Sequence, residues 1–285
     1  LYETPTPIRS TVMLIVDTHA HLDSPDEVRY PKIPHALRPP PGKGTLAHLR
    51  RETRINRIDR VVIVQTGSLY GFDNRLIVDT VHRNRDWTTG VCTMDPFDSD
   101  GPALLARYAQ TFNIRGQRFG PNPGSTPAFG YEGHWRLWEE GALLGLVSCV
   151  LIHKESTDEL AKLLVRFPHT PVVLEHCMGL RTGADDILKT VCDLARFPNL
   201  YAQLTFVPGD SVEPYPFRDM HETVRRVIDA YGAEPCLWGS AFPCELWCVK
   251  VSYGEHLRLF TDEIRMEEAE RRAILGGAAT RLWFS

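Results

Sequence analysis

Two histidines separated by one residue, His19 and His21, close the segment Asp17-Thr18-His19-Ala20-His21, directly after the apolar run 13–16. At the end of a buried strand, side chains two residues apart point to the same side of the backbone. The pair therefore offers two imidazoles to one space, which suits a metal ion or a polar substrate. Further polar residues recur at the ends of later apolar runs: Arg115 and Arg118, then His153 with Lys154, then His176. A lone strand-end histidine is most often a hydrogen-bonded core residue. Four of them in corresponding places are hard to explain by packing alone.

Bringing such residues together requires a scaffold that ends many strands at one place. Eight apolar, β-branched runs, at 13–21, 60–66, 88–94, 114–119, 147–153, 171–176, 200–206 and 235–240, alternate with stretches of helical periodicity. In 157–167, for instance, Leu160, Leu163 and Leu164 share a face, as do Val224, Val227 and Ile228 in 220–231. Eight strand-helix units predict a (β/α)8 TIM barrel filling residues 1–285 as one domain, since ~250 residues is typical of that fold. In it, strand C-termini meet at one mouth. The long proline-rich loop at 23–45 follows the first strand, on the active-site side, and reads as a lid or pocket wall. A second irregular segment, 120–133, reads the same way.

Composition narrows the function further. A net charge of -4 gives no basic field for a polyanion, so nucleic acid is excluded as a partner. No apolar run reaches the ~20 residues of a membrane span, and residues 1–10 lack the basic start and apolar middle of a signal peptide. The seven cysteines form no CxxC pair and suit reduced thiols, so the expected location is the cytoplasm. A homo-oligomer is compatible with all of this.

Six motifs in order carry a resemblance. They are Val16-Asp17-Thr18-His19-Ala20-His21, Val64-Gln65 followed by Tyr70-Gly71-Phe72-Asp73-Asn74-Arg75, and Ile114-Arg115-Gly116-Gln117-Arg118-Phe119. Leu174-Glu175-His176-Cys177-Met178-Gly179, Leu237-Trp238-Gly239-Ser240-Ala241-Phe242-Pro243 and Gly277-Ala278-Ala279-Thr280-Arg281-Leu282-Trp283 complete the set. The chain resembles the amidohydrolase superfamily, in the metal-dependent-hydrolase branch that includes 2-pyrone-4,6-dicarboxylate lactonases and related lactone hydrolases. The resemblance implies hydrolysis of a carboxylate-bearing lactone or cyclic ester, with decarboxylation of an aromatic or muconate-type acid as the alternative on the same fold. It also implies an Asp near the end of the eighth strand as general base. Here that position is Ala241, whose methyl group accepts no proton. An engineered Asp→Ala change that traps substrate is the expected explanation, with natural loss of activity, as in a non-catalytic ligand-binding descendant, or a different reaction as the alternatives.

The remaining roles follow from residue chemistry and from this resemblance together. His153 and His176 are the other catalytic candidates. His19, His21 and His153 are the candidate ligands for one zinc or other divalent metal, which typically takes three protein ligands and a water in catalytic sites; the resemblance equally allows a metal-free site in which histidines bind substrate. Arginine's planar fork matches a carboxylate, so Arg115, Arg118 and Arg181 are candidates for anchoring a small carboxylated substrate, Arg118 foremost. Tyr70 and Lys154 are further candidates for hydrogen bonds to it. Trp238 and Trp247 read as core and pocket wall.

Overall fold

The computed structural model describes residues 13–120, 129 and 131–285. Most of the irregular segment at 120–133 lies outside the described residues, as do residues 1–10. Eight strands follow the eight predicted runs: β1 (Val16–Ala20), β2 (Arg60–Val64), β3 (Thr88–Cys92), β4 (Ile114–Phe119), β5 (Val147–Val150), β6 (Val172–Leu174), β7 (Leu200–Gln203) and β8 (Cys236–Leu237). They pair in parallel and in sequence order, β1 to β8. Backbone bonds then join the last strand region to the first, from Thr18 N to the Trp238 carbonyl (3.3 Å) and from His21 N to the Phe242 carbonyl (2.8 Å). This is a (β/α)8 barrel. Gly239 makes the closure possible, because a Cβ there would lie 2.9 Å from the Cβ of His19.

Helices connect the strands, among them α1 (Leu46–Ile55), α2 (Arg75–Arg83), α3 (Gly101–Thr111), α4 (Glu132–Leu143), α5 (Thr157–Arg166), α6 (Asp185–Leu194) and α7 (Arg218–Tyr231). Several cover the sheet with one apolar stripe. In α5 the buried residues are Leu160, Leu163 and Leu164, and in α7 they are Met220, Val224, Val227 and Ile228, the i, i+3, i+4 spacing of an amphipathic helix. Thr45 caps α1 by accepting from the His48 N–H. With helices outside and a packed barrel within, β1 and β3 are buried along their whole length, and the polar residues of β1, Asp17, Thr18 and His19, are buried with them.

Inside the barrel, Val16, Val62, Val64, Val91, Val147, Val173 and Leu237 pack against Ala278, Ala279 and Trp283 of the C-terminal helix α8 (Ala278–Trp283). That helix closes the end where the strands begin and leaves the strand C-termini to form the cavity. Among the described residues, no helix is long and apolar enough to cross a membrane.

Candidate active site

A cavity of about 720 Å³ opens at the C-terminal ends of the strands, the place where barrels of this kind put their chemistry. His19, His21, Arg118, His176 and Ala241 all line it, and Ile33, Phe72, Leu151, Phe206 and Trp247 supply apolar wall. Ile33 belongs to the 23–45 loop. That loop is pinned by Ile33 N to the Leu69 carbonyl and by Leu37 N to the Ser68 carbonyl, so it forms a wall of the cavity at this point.

His19 and His21 face each other across 3.1 Å, Nε2 to Nε2. The Val64 carbonyl, 2.9 Å away, accepts from His21 Nδ1, which leaves His21 Nε2 as a lone pair. His19 then donates from Nε2, and its Nδ1 lone pair is buried without a hydrogen bond, 3.7 Å from Glu175 Oε1, which is likewise without one. Two buried acceptors facing each other are costly. A cation held against His19 removes the conflict. The donor set supports that fit: ligand atoms of His19, Glu175 and His176 all lie within 4.8 Å of one another.

The electrostatics keep the imidazoles neutral, as metal binding or substrate polarisation requires. Burial, then the neighbouring His176, His21 and Arg118, holds His19 well below the usual histidine range. Burial and Arg118 push His21 down to about 3, opposed by its bond to Val64. His176 likewise falls to about 3, through burial first and then Arg118, His21 and His256.

Arg118 comes from the end of β4, and its Nε bonds Glu175 Oε2 at 2.7 Å, the two side chains being 13% and 0% exposed. Burial raises the Glu175 carboxyl above its ordinary value, and the adjacent guanidinium opposes the rise. His176 follows at φ +53 in a left-handed turn that runs through Cys177 and Met178 to Gly179. The turn directs its ring to the cavity, where Nδ1 pairs with the Thr205 hydroxyl. Asp17 plays a different part. Its buried carboxylate accepts from His19 N (3.1 Å), Ser240 N (2.9 Å), Ser240 Oγ (2.6 Å) and the Tyr253 hydroxyl (2.8 Å), fastening the end of β8 to β1. Ala241 is thereby fixed beside the histidines, buried and at φ +51.

Several predicted site residues lie elsewhere. His153 is exposed and outside the cavity: β5 ends at Val150, three residues earlier, and the chain leaves the mouth before reaching it. The three-histidine metal set is therefore corrected: Glu175 and His176 are the groups that share a candidate cation site with His19. Arg115 is exposed at the start of β4, toward the closed end of the barrel. Arg181 and Lys154 are exposed and do not line the cavity, and Lys154 pairs with Asp186 at 3.0 Å. Tyr70 is buried behind the cavity wall, where its hydroxyl accepts from Ser24 N and donates to Asp23; it ties down the long loop. Trp247 lines the cavity and Trp238 is core. Sequence reasoning missed Glu175, Thr205 and Asp210, of which the last two also line the cavity. A carboxylate next to His176 at a strand end was the available signal for Glu175.

A parallel barrel that brings paired histidines, a further histidine and a buried carboxylate to one cavity at its strand C-termini defines an enzyme-like site. The chain belongs to the amidohydrolase family, whose family model matches residues 16–284. Similar solved structures include a probable 2-pyrone-4,6-dicarboxylic acid hydrolase from Acinetobacter baumannii with citric acid bound, at TM-score 0.80 and 16% identity over 95% of this chain and 99% of that one. An amidohydrolase from Burkholderia multivorans with bound zinc gives TM-score 0.73 and 19% identity, again over 95% and 99%. The 5-carboxyvanillate decarboxylase of Sphingomonas paucimobilis gives 0.66 and 15% over the same shares. No curated protein matches the chain significantly. At these identities the structures establish the shared fold.

Proposed function

We propose that this barrel opens a carboxylate-bearing lactone or related cyclic ester by attack of water, and that the present chain is the form inactivated by an engineered Asp→Ala change at position 241. The observation that carries the reading is the setting of Ala241. Its methyl group sits in the cavity with His19, His21, His176 and Arg118, all of which can bind or polarise a substrate.

In the form with Asp at 241, that carboxylate takes a proton from the attacking water. The terminal nitrogens of Arg118 hold the substrate carboxylate, while Glu175 orients the guanidinium through Nε. His19 and His176, neutral through burial, face the carbonyl that gains negative charge. Thr205 fixes the His176 ring. A divalent metal, if held by His19, Glu175 and His176, would supply Lewis-acid polarisation of that carbonyl.

The test is product analysis. Ala241→Asp protein incubated with carboxylated lactones should give the ring-opened hydroxy acid and no carbon dioxide. Release of carbon dioxide from an aromatic acid would assign decarboxylation instead.

A further inference from the structure

Asp210 ends the short helix Val207–Asp210 after β7 and lines the same cavity as Arg118, three strands away around the mouth. It is half-buried, and among the described residues its carboxylate closes no hydrogen bond and no ion pair within 4 Å. From Asp210 and Arg118 we infer that the site selects a ring bearing a single carboxylate and, at its far end, a hydrogen-bond donor such as a hydroxyl, and that Asp210 rejects a second carboxylate. This rests on the function proposed above and narrows its substrate class.

The charges that face the cavity carry the argument. Among the described residues Arg118 is the one lysine or arginine that lines it, and Glu175 already balances that guanidinium. One carboxylate finds a fork of donors at Arg118. A second would meet Asp210, and like charges inside a partly desolvated cavity repel strongly. Arg181 and Lys250 lie near Asp210 but are exposed and outside the cavity, and Lys250 bonds the Ser211 carbonyl. They oppose the upward shift that burial imposes on the Asp210 carboxyl. A carboxylate that lines a binding cavity without a hydrogen-bond partner among the described residues is an acceptor for a ligand's hydroxyl or amine.

The chain as it stands, with Ala241, allows binding to be measured without turnover. Calorimetry would compare 3-hydroxybenzoate with isophthalate, two flat six-membered rings that differ in one substituent. The expected result is that 3-hydroxybenzoate binds roughly tenfold or more tightly than isophthalate, a gap consistent with one like-charge repulsion at an effective dielectric near 20. In Asp210→Asn the gap should close, chiefly through tighter binding of isophthalate. Arg118→Lys, which keeps the charge and loses the fork, should weaken both acids alike. If isophthalate binds as tightly as 3-hydroxybenzoate, or if Asp210→Asn leaves their ratio unchanged, the selectivity assigned to Asp210 is wrong while the carboxylated substrate class stands. If neither acid binds, or if both are indifferent to Arg118→Lys, the carboxylate anchor fails and the inference falls with it.

Discussion

Ala241→Asp is the substitution on which the functional reading turns. Position 241 has φ +51, a region that costs most L-residues roughly 1–2 kcal/mol and that Asp and Asn enter more readily than Ala. Asp is thus locally at least as acceptable as the residue now present, and the thermal midpoint should move by only a few degrees. The new carboxylate would lie in the cavity with His19, His21 and His176, all held neutral. As general base it should raise turnover by roughly 10²–10⁴-fold, about 2.7–5.5 kcal/mol of barrier. The gain should appear in kcat and hardly in KM, because Arg118 and the histidines hold the substrate in either form. Asn at 241 tests the chemistry separately, since it fits the same backbone and removes no proton. A panel of monocarboxylated lactones, assayed side by side with the Ala, Asp and Asn proteins, decides the matter. Equal turnover by all three, or a gain confined to KM, would refute the base assignment and leave His176 as the first group to test.

Three other outcomes follow from the same geometry. Arg118→Ala should lower stability by about 3–5 kcal/mol by stranding the buried Glu175 carboxylate, and Arg118→Ala with Glu175→Gln should recover much of the loss in urea midpoints; equal midpoints for the single and double variants would mean that the pair contributes little. His21 and His176 titrate near 3 in the folded chain and near 6.5 when unfolded. The unfolded state therefore binds more protons between those values, so stability should be complete above pH 6.5 and fall by up to about 1.4 kcal/mol per unit for each histidine as pH drops toward 3; a flat thermal midpoint from pH 6.5 to 4 would contradict this. Elemental analysis of the Ala241→Asp protein should find about one divalent metal per chain, lost in His19→Ala and retained in His153→Ala. Loss of metal in His153→Ala would restore the three-histidine set.

The barrel was legible because most strands are buried over most of their length, as β2 and β6 are, and helices such as α5 and α7 bury one apolar stripe that reads with a period near 3.6. Strand ends were less legible, and they decide which polar residues reach the mouth. The predicted runs at 147–153 and 171–176 outlast the strands Val147–Val150 and Val172–Leu174. Beyond β5 the chain reaches His153 in an extended conformation, at φ -105 and ψ 170, and carries it out to solvent. Beyond β6 a left-handed turn places His176 on the cavity. Nothing in Glu175-His176-Cys177-Met178 announces that turn, since its first three positive-φ residues are not glycines. Glu175 and Arg118 were each visible as charges at strand ends. Their pairing was not, because it depends on which residues of β4 and the β6 end share the inner face.

Among the described residues, His176 and Ala241 are the two non-glycine residues that combine a positive φ with a place in the cavity lining. Strain of this kind persists where the surrounding structure enforces it, and it concentrates at functional sites. At His176 the return is an imidazole aimed at the cavity and held by Thr205. At position 241 an alanine gains nothing from its conformation, yet Asp17 applies two hydrogen bonds to Ser240, and His21 N bonds the Phe242 carbonyl, to hold the backbone there. A backbone so firmly placed for a methyl group has a physical rationale if the position evolved around a side chain that tolerates φ near +50° and brings an oxygen to the histidines. Aspartate meets both conditions, which is why the gap at 241 and the geometry around it support the same reading.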